Sequence, residues 1–200
     1  DQRLSRGLGD VYKRQDSTIS SSSDGDQYNI KTNNDIDVIV TNNSTLERNQ
    51  KIFNVSAASL TGSSITIHLG SSVIAETNSI FSNGAELTIT NTGTIEATNS
   101  KAINVSNSDG VSITNNNNGV IKSNNNTILG DAGTGADNVT IDNSGEIYTT
   151  ATGTESSAIV FANNDTGNTI TNNSGGEIYS SGSESTICLL YTSDAADDDH

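Results

Sequence analysis

The sequence predicts an all-β fold: a parallel β-helix (solenoid) with three short strands per coil and about five to six coils. Three observations carry this expectation. Isoleucine outnumbers leucine by 21 to 9, and β-branched side chains favour strands over helices. A short motif of alternating apolar and hydroxyl residues, ending in an Asn/Ser/Gly turn, recurs along the chain. Its copies fall 22 to 29 residues apart, within the range of solenoid coils.

Composition sets the limits. Ser (29), Thr (25), Asn (27) and Gly (18) make up about half of the 200 residues, with no Pro, Met or Trp. Disorder is the rival reading of such a polar chain. Ordered spacing of the isoleucines decides against it, because a disordered tract needs no columns. A single cysteine, Cys188, excludes a disulfide framework and a cysteine-based zinc site. A net charge of -15 argues against nucleic acid as a partner. No apolar run approaches the ~18 residues of a membrane-spanning helix.

Both ends differ from the middle. Residues 10–15 read Asp-Val-Tyr-Lys-Arg-Gln, and residues 188–193 read Cys-Leu-Leu-Tyr-Thr-Ser. One codon choice for the first, read on the opposite strand with a one-base shift, encodes the second. That DNA word resembles the transposon end used in sequencing libraries. Residues 1–15 and 188–200 are therefore expected to be translated adapter, and 16–187 to be the β-helix segment, incomplete and uncapped. The segment keeps five basic and eighteen acidic residues, a net charge of -13, and no cysteine.

The repeat is clearest in Leu87-Thr-Ile-Thr-Asn-Thr-Gly-Thr-Ile95 and Val139-Thr-Ile-Asp-Asn-Ser-Gly-Glu-Ile147. Thr169–Ile178 fits with one added residue and Val111–Ile121 with two; Val38–Asn42 and Ile65–Leu69 are weaker copies. The central apolar residues Val40, Ile67, Ile89, Ile113, Ile141 and Ile170 serve as anchors of the first strand. Asn42, Asn91, Asn115, Asn143 and Asn172 follow two residues later, on the same inward side, and are expected to stack as a ladder at the turn. Leu69 breaks that pattern and predicts a different turn or an apolar corner. Gly93, Gly119, Gly145 and Gly175 or Gly176 then suit a positive φ before the second strand. Second strands are expected at 94–96, 120–122, 146–148 and 177–179. Third strands are expected at 51–55, 79–81, 102–105, 127–129 and 158–161, with 28–30 closing an earlier coil.

The form Val-Thr-Ile-Asp-Asn-Ser-Gly-Glu-Ile, followed by Ser157-Ala-Ile-Val-Phe161, resembles autotransporter passenger domains, the exported parts of type V secretion proteins of Gram-negative bacteria. The resemblance covers most of 36–187. It implies an adhesive or structural segment at the bacterial cell surface or secreted. The partners it implies are host-cell or matrix glycans or proteins, or a like molecule. Membrane attachment would come only through a β-barrel that this sequence does not contain. Freedom from cysteine suits passage through an oxidising periplasm. The alternative is a fragment of a β-helical carbohydrate-active enzyme or a phage tailspike.

Catalytic chemistry is not marked. Sugar cleavage usually needs two carboxylates across the bond; the pairs Asp24/Asp26 and Asp35/Asp37 lie where the repeat is weak and read as solvated turn acids. His68 follows Ile67, so alternation points it outward. Gly130–Asp137 looks like a calcium loop through Asp131 and Asp137, but lacks the acid density of one. Thr88/Thr90 and Thr169/Thr171 are similar to ice-binding arrays, which Ser112 and Asp142 interrupt. The expectation is therefore no enzyme, no catalytic, cofactor or metal residue, and no cofactor. Contact is expected through the variable loops around 130–138 and 149–157.

Overall fold

The computed structural model describes residues 18–21, 28–30, 37–41, 43–55, 61–84, 86–130, 135–161 and 165–189. Asn42, Asp24, Asp26, Asp35, Asp131, residues 1–15 and residues 190–200 lie outside the described residues. In chain order the strands are β1 (Thr18–Ser21), β2 (Tyr28–Ile30), β3 (Asp37–Val40), β4 (Thr45–Arg48), β5 (Phe53–Val55), β6 (Ser63–Ile67) and β7 (Ser72–Ala75). Next come β8 (Ile80–Ser82), β9 (Leu87–Asn91), β10 (Thr94–Ala97), β11 (Ile103–Asn104), β12 (Ser112–Asn115), β13 (Val120–Ser123) and β14 (Ile128–Leu129). The last are β15 (Thr140–Asn143), β16 (Glu146–Thr149), β17 (Ile159–Phe161), β18 (Thr169–Asn172), β19 (Glu177–Ser180) and β20 (Ile187–Leu189).

Every third strand pairs in parallel, giving three sheets of seven, seven and six strands. This is the expected all-β solenoid, with six passes through the sheet that holds the anchors. The strand-only reading works because each β-branched alternation has one face to bury. Ile95, Ile121 and Ile147 stack in register in the first sheet. Ile80, Ile103, Ile128 and Ile159 stack in the second, and Ile65, Ile89, Ile113 and Ile141 in the third. All of these are fully buried. No single coil could shield them; stacking does, while backbone groups pair with the coils on either side.

The anchors of the two weak copies are corrected by two residues. Ile65, not Ile67, pairs with Ile89, and Ile67 pairs with Asn91. Val38 and Val40 pair with Ile65 and Ile67 in turn. The isoleucine column is thus Val38, Ile65, Ile89, Ile113, Ile141, Ile170, and Val40 and Ile67 occupy the place that asparagine takes later. This coil does take an apolar corner, but through the buried Ile67; Leu69 itself sits in the turn, 63% exposed. The Thr169–Ile178 copy is also corrected, since Thr140 pairs with Thr169 and Ile147 with Ile178, which leaves two added residues rather than one.

The glycine expectation holds in the last turn, at Gly175, and fails at Gly93, Gly119 and Gly145. These three and Gly176 have no positive φ. Each is needed for space: a Cβ on Gly145 would collide with the backbone oxygens of Gly119 and Asn116, and one on Gly93 with those of Ser71 and His68. Positive φ falls one residue earlier, and only in the four-residue corners, at Gly70 (77°), Asn118 (70°) and Gly175 (89°). A backbone hydrogen bond closes each of these turns: Ser71 N to His68 O, Gly119 N to Asn116 O, and Gly176 N to Asn173 O.

β1, β4 and β7 were not expected, nor was β20. The latter crosses the 187/188 boundary, with Cys188 paired to Val160. β2 closes an earlier coil as expected, pairing with β5.

Candidate binding surface

The inner corner of the later coils is a ladder of side-chain amides. Asn91, Asn115 and Asn143 are completely buried. Nδ2 of Asn91 donates to Oδ1 of Asn115, Asn115 to Asn143, and Asn143 to Asn172, each at 2.8 Å. Each of these three amides also donates to two backbone carbonyls; for Asn143 these are Gly145 and Glu177. In return the backbone N–H groups of Gly93 and Gly145 donate to the Oδ1 atoms of Asn91 and Asn143. Burial of an amide is tolerable because nearly all its bonds are made. This corner is scaffold.

Three outer faces result. On the third sheet, Ser64, Thr88, Ser112, Thr140 and Thr169 form one column. Thr66, Thr90, Thr114, Asp142 and Thr171 form the next. On the first sheet, Lys122 Nζ meets Glu96 Oε2 at 3.0 Å. Beyond them the Tyr148 and Tyr179 rings stack, 4.7 Å apart and 5° from parallel. The Tyr179 hydroxyl donates to Glu146 Oε2 at 3.4 Å. Partial burial, reinforced by the Glu146 charge, pushes Tyr179 up from 10.0 to about 12. On the second sheet, Lys51 Nζ lies 4.1 Å from the centre of the Phe81 ring, a cation–π contact.

The two loops expected to make contacts differ. In 149–157, Thr150, Thr152, Gly153, Thr154 and Glu155 are exposed. Glu155, at φ 59°, accepts from Asn125 Nδ2 at 2.8 Å and lies 3.6 Å from Lys101 Nζ. The Asn125 hydrogen bond, then the Lys101 charge, hold its carboxyl below the ordinary range. The described end of 130–138 is instead tied down. Ala136 is buried and its N–H donates to Asp165 Oδ1 at 2.7 Å. Asp137 Oδ1 accepts from the Thr166 N–H at 2.6 Å, so this carboxylate serves a neighbouring coil.

That last contact belongs to a second corner that the sequence reading missed. Asp109 and Asp137 pair across coils, and Thr166, not Asp165, takes the equivalent place in the next coil. Asp109, Asp137 and Asp165 each accept a hydrogen bond from another coil or a neighbouring loop. Asn168 adds two more bonds, accepting from Val139 N–H and donating to Ala136 O. Of the other residues weighed, His68 is exposed at its corner. Asp37 accepts from Ser64 Oγ at 2.6 Å. Among the described residues no three His, Cys, Asp or Glu side chains group so as to hold a metal ion.

Comparison with protein-family models, curated proteins and solved structures finds no match to this chain.

Proposed function

We propose that the chain is a rod segment of a bacterial surface protein of the autotransporter passenger kind, non-enzymatic, presenting its outer faces and loops to glycans or cell surfaces. One observation carries this reading. The inside is filled with isoleucine columns in register, while the third sheet turns outward one column of Ser and Thr hydroxyls and a second of Thr hydroxyls interrupted by Asp142. A rigid array of weak, repeated polar contacts suits multivalent binding, where avidity comes from number and spacing. The exposed 150–155 loop adds Thr150, Thr152 and Thr154 beside the charged Glu155. A net charge of -15 agrees with solubility outside the cell and disfavours nucleic acid.

The test is binding of the purified full chain to a glycan array and to intact epithelial cells. Retention above a scrambled-sequence control is expected, weakened when Thr88, Thr140 and Thr169 are replaced together by Val with the β signal in circular dichroism unchanged. Equal retention of chain and control would sink the adhesive reading and leave only a rod.

A further inference from the structure

We propose that Asn83 is a site of spontaneous covalent modification, where the backbone nitrogen of Gly84 displaces the side-chain amide and the corner after β8 gains a carboxylate. The inference goes beyond the adhesive reading and does not depend on it. Asparagine before glycine is the pair that reacts this way most readily, because no side chain shields the attacking nitrogen. The amide carbon and the nitrogen belong to adjacent residues, so no second molecule has to bring them together. The chain holds two such pairs, Asn83-Gly84 and Asn118-Gly119, and Asp109-Gly110 is an aspartate counterpart.

The three pairs differ in what holds the attacking nitrogen. Gly119 is buried, and its N–H donates to Asn116 O at 2.8 Å. Its carbonyl accepts from the Glu146 N–H at 2.9 Å and from Asn115 Nδ2 at 3.1 Å, so Gly119 is pinned on both sides. The Gly110 N–H donates to Asp137 O at 3.0 Å. Gly84 is different. Asn83 is exposed, and the bonding of β8 to its neighbouring coil ends with the Asn83 N–H, which donates to Val55 O at 2.9 Å. The chain then turns away through Gly84 at φ 81°. Among the described residues nothing accepts from the Gly84 N–H, and nothing engages the Asn83 side-chain amide. That nitrogen can lose its proton to solvent, and the side chain can rotate onto it. The ladder asparagines are the opposite case, buried with their amides bonded from coil to coil.

The bonds balance with water as the one co-reactant. The Gly84 nitrogen, its proton lost, bonds to Cγ of Asn83, and the bond from Cγ to Nδ2 breaks. Nδ2 takes up a proton and leaves as ammonia, and a five-membered imide ring remains. Water then adds to one of the two ring carbonyls. Opening at Cγ leaves an ordinary aspartate at position 83. Opening at the backbone carbonyl leaves an isoaspartate, whose main chain runs through the side chain and is one carbon longer. Either product carries a negative charge that asparagine lacks, three residues before the exposed Glu86. The longer product also inserts its carbon between the last bond of β8 and the buried Leu87 that opens β9.

The test is peptide mapping by mass spectrometry of the full chain, held folded in mildly alkaline buffer at body temperature and sampled over weeks. Cleavage after Lys51, Lys101 and Lys122 puts Asn83 and Asn118 on separate peptides. Conversion of amide to acid is expected to run about tenfold faster at Asn83 than at Asn118, because Gly119 must first break out of its turn. It should yield two products that chromatography separates, isoaspartate and aspartate. In urea, where the turn bonds are gone, the two rates should converge. Conversion should quicken as pH rises, since the attacking nitrogen must lose a proton, and Asn83→Gln should remove it at that position. Equal rates at Asn83 and Asn118 in the folded chain overturn the proposal, as does an intact Asn83 in the folded chain when the unfolded chain converts. Aspartate alone, without isoaspartate, overturns the ring-closing route.

Discussion

Between Ile67 and Asn91 the inner corner of the solenoid changes material. Up to that point the corner column is aliphatic, Val40 under Ile67; beyond it the column is amide, Asn91 through Asn172. The residue before the next strand changes with it. Ser71 precedes β7, whereas Gly93, Gly119, Gly145 and Gly176 precede the later strands. At each of these glycines nearby backbone leaves no room for a Cβ; at Gly93 the obstructing oxygens, of Ser71 and His68, belong to the aliphatic coil itself. Two arrangements of the same corner thus coexist in one rod: nonpolar burial with serine before the next strand, and amide bonding with glycine there.

The comparison can be broken most severely at Asn115. Asn115→Ile copies the aliphatic corner into mid-ladder and removes at once the bonds from Asn91, to Asn143, and to the backbone oxygens of Gly119 and Glu146. At about 1 kcal/mol for each lost bond the expected loss is about 4 kcal/mol, read from urea or thermal unfolding. Asn91→Ile, which moves the junction one coil along and breaks one ladder bond in place of two, should cost less. If the two variants unfold together, the ladder is not cooperative.

Next in size is Gly145→Ala, which drives a methyl against the backbone oxygens of Gly119 and Asn116; about 3 kcal/mol is expected. Gly153→Ala is the control, with nothing within 4 Å of the added atom, and should be near neutral. The aliphatic corner gives the opposite sign. Ser71 Oγ is buried without a hydrogen-bond partner. Ser71→Ala should leave stability unchanged or raise it by about 1 kcal/mol in the same unfolding assay.

The smallest effects are electrostatic and lie on the outer surface. Tyr179 titrates at about 12 in the folded chain against 10.0 ordinarily. Its contribution to stability is present below pH 10 and is lost as pH rises from there through 12. Ultraviolet absorbance should show one tyrosine ionising near 12, moved back toward 10 by Glu146→Gln. Glu155 behaves with the reverse sign: its lowered carboxyl favours folding above the ordinary carboxylate range, and that contribution fades as pH falls through the lowered value. Lys101→Met should bring the Glu155 titration, followed by NMR, back toward its usual position.

Legibility of the fold followed the same division. Where a coil holds Ile-x-Asn, as at Ile89 to Asn91 or Ile141 to Asn143, the register could be read directly, because asparagine marks which of two inward positions is the corner. In Val38-Ile-Val40 and Ile65-Thr-Ile67 both inward positions are aliphatic, so a period-two pattern allows a slip of two residues, and the slip was made. β4 and β7 escaped notice because Thr45–Arg48 and Ser72–Ala75 lack the glycine turn before an isoleucine. Gly93, Gly119 and Gly145 were located correctly and misexplained, since crowding between coils is invisible in a single coil. The proposed contact surface has no such marker, because outward residues answer to solvent and not to a register.

The strands lie across the rod, and the hydrogen bonds between coils lie along it. A pull on the two ends therefore loads these bonds coil by coil, starting at an open end, instead of shearing a whole sheet at once. The coil between Asn115 and Asn143 holds 28 residues. Releasing it would add about 90–100 Å of extended chain. Under tension the molecule behaves as a ratchet of hidden length, yielding in steps of one coil while the remaining coils keep their shape.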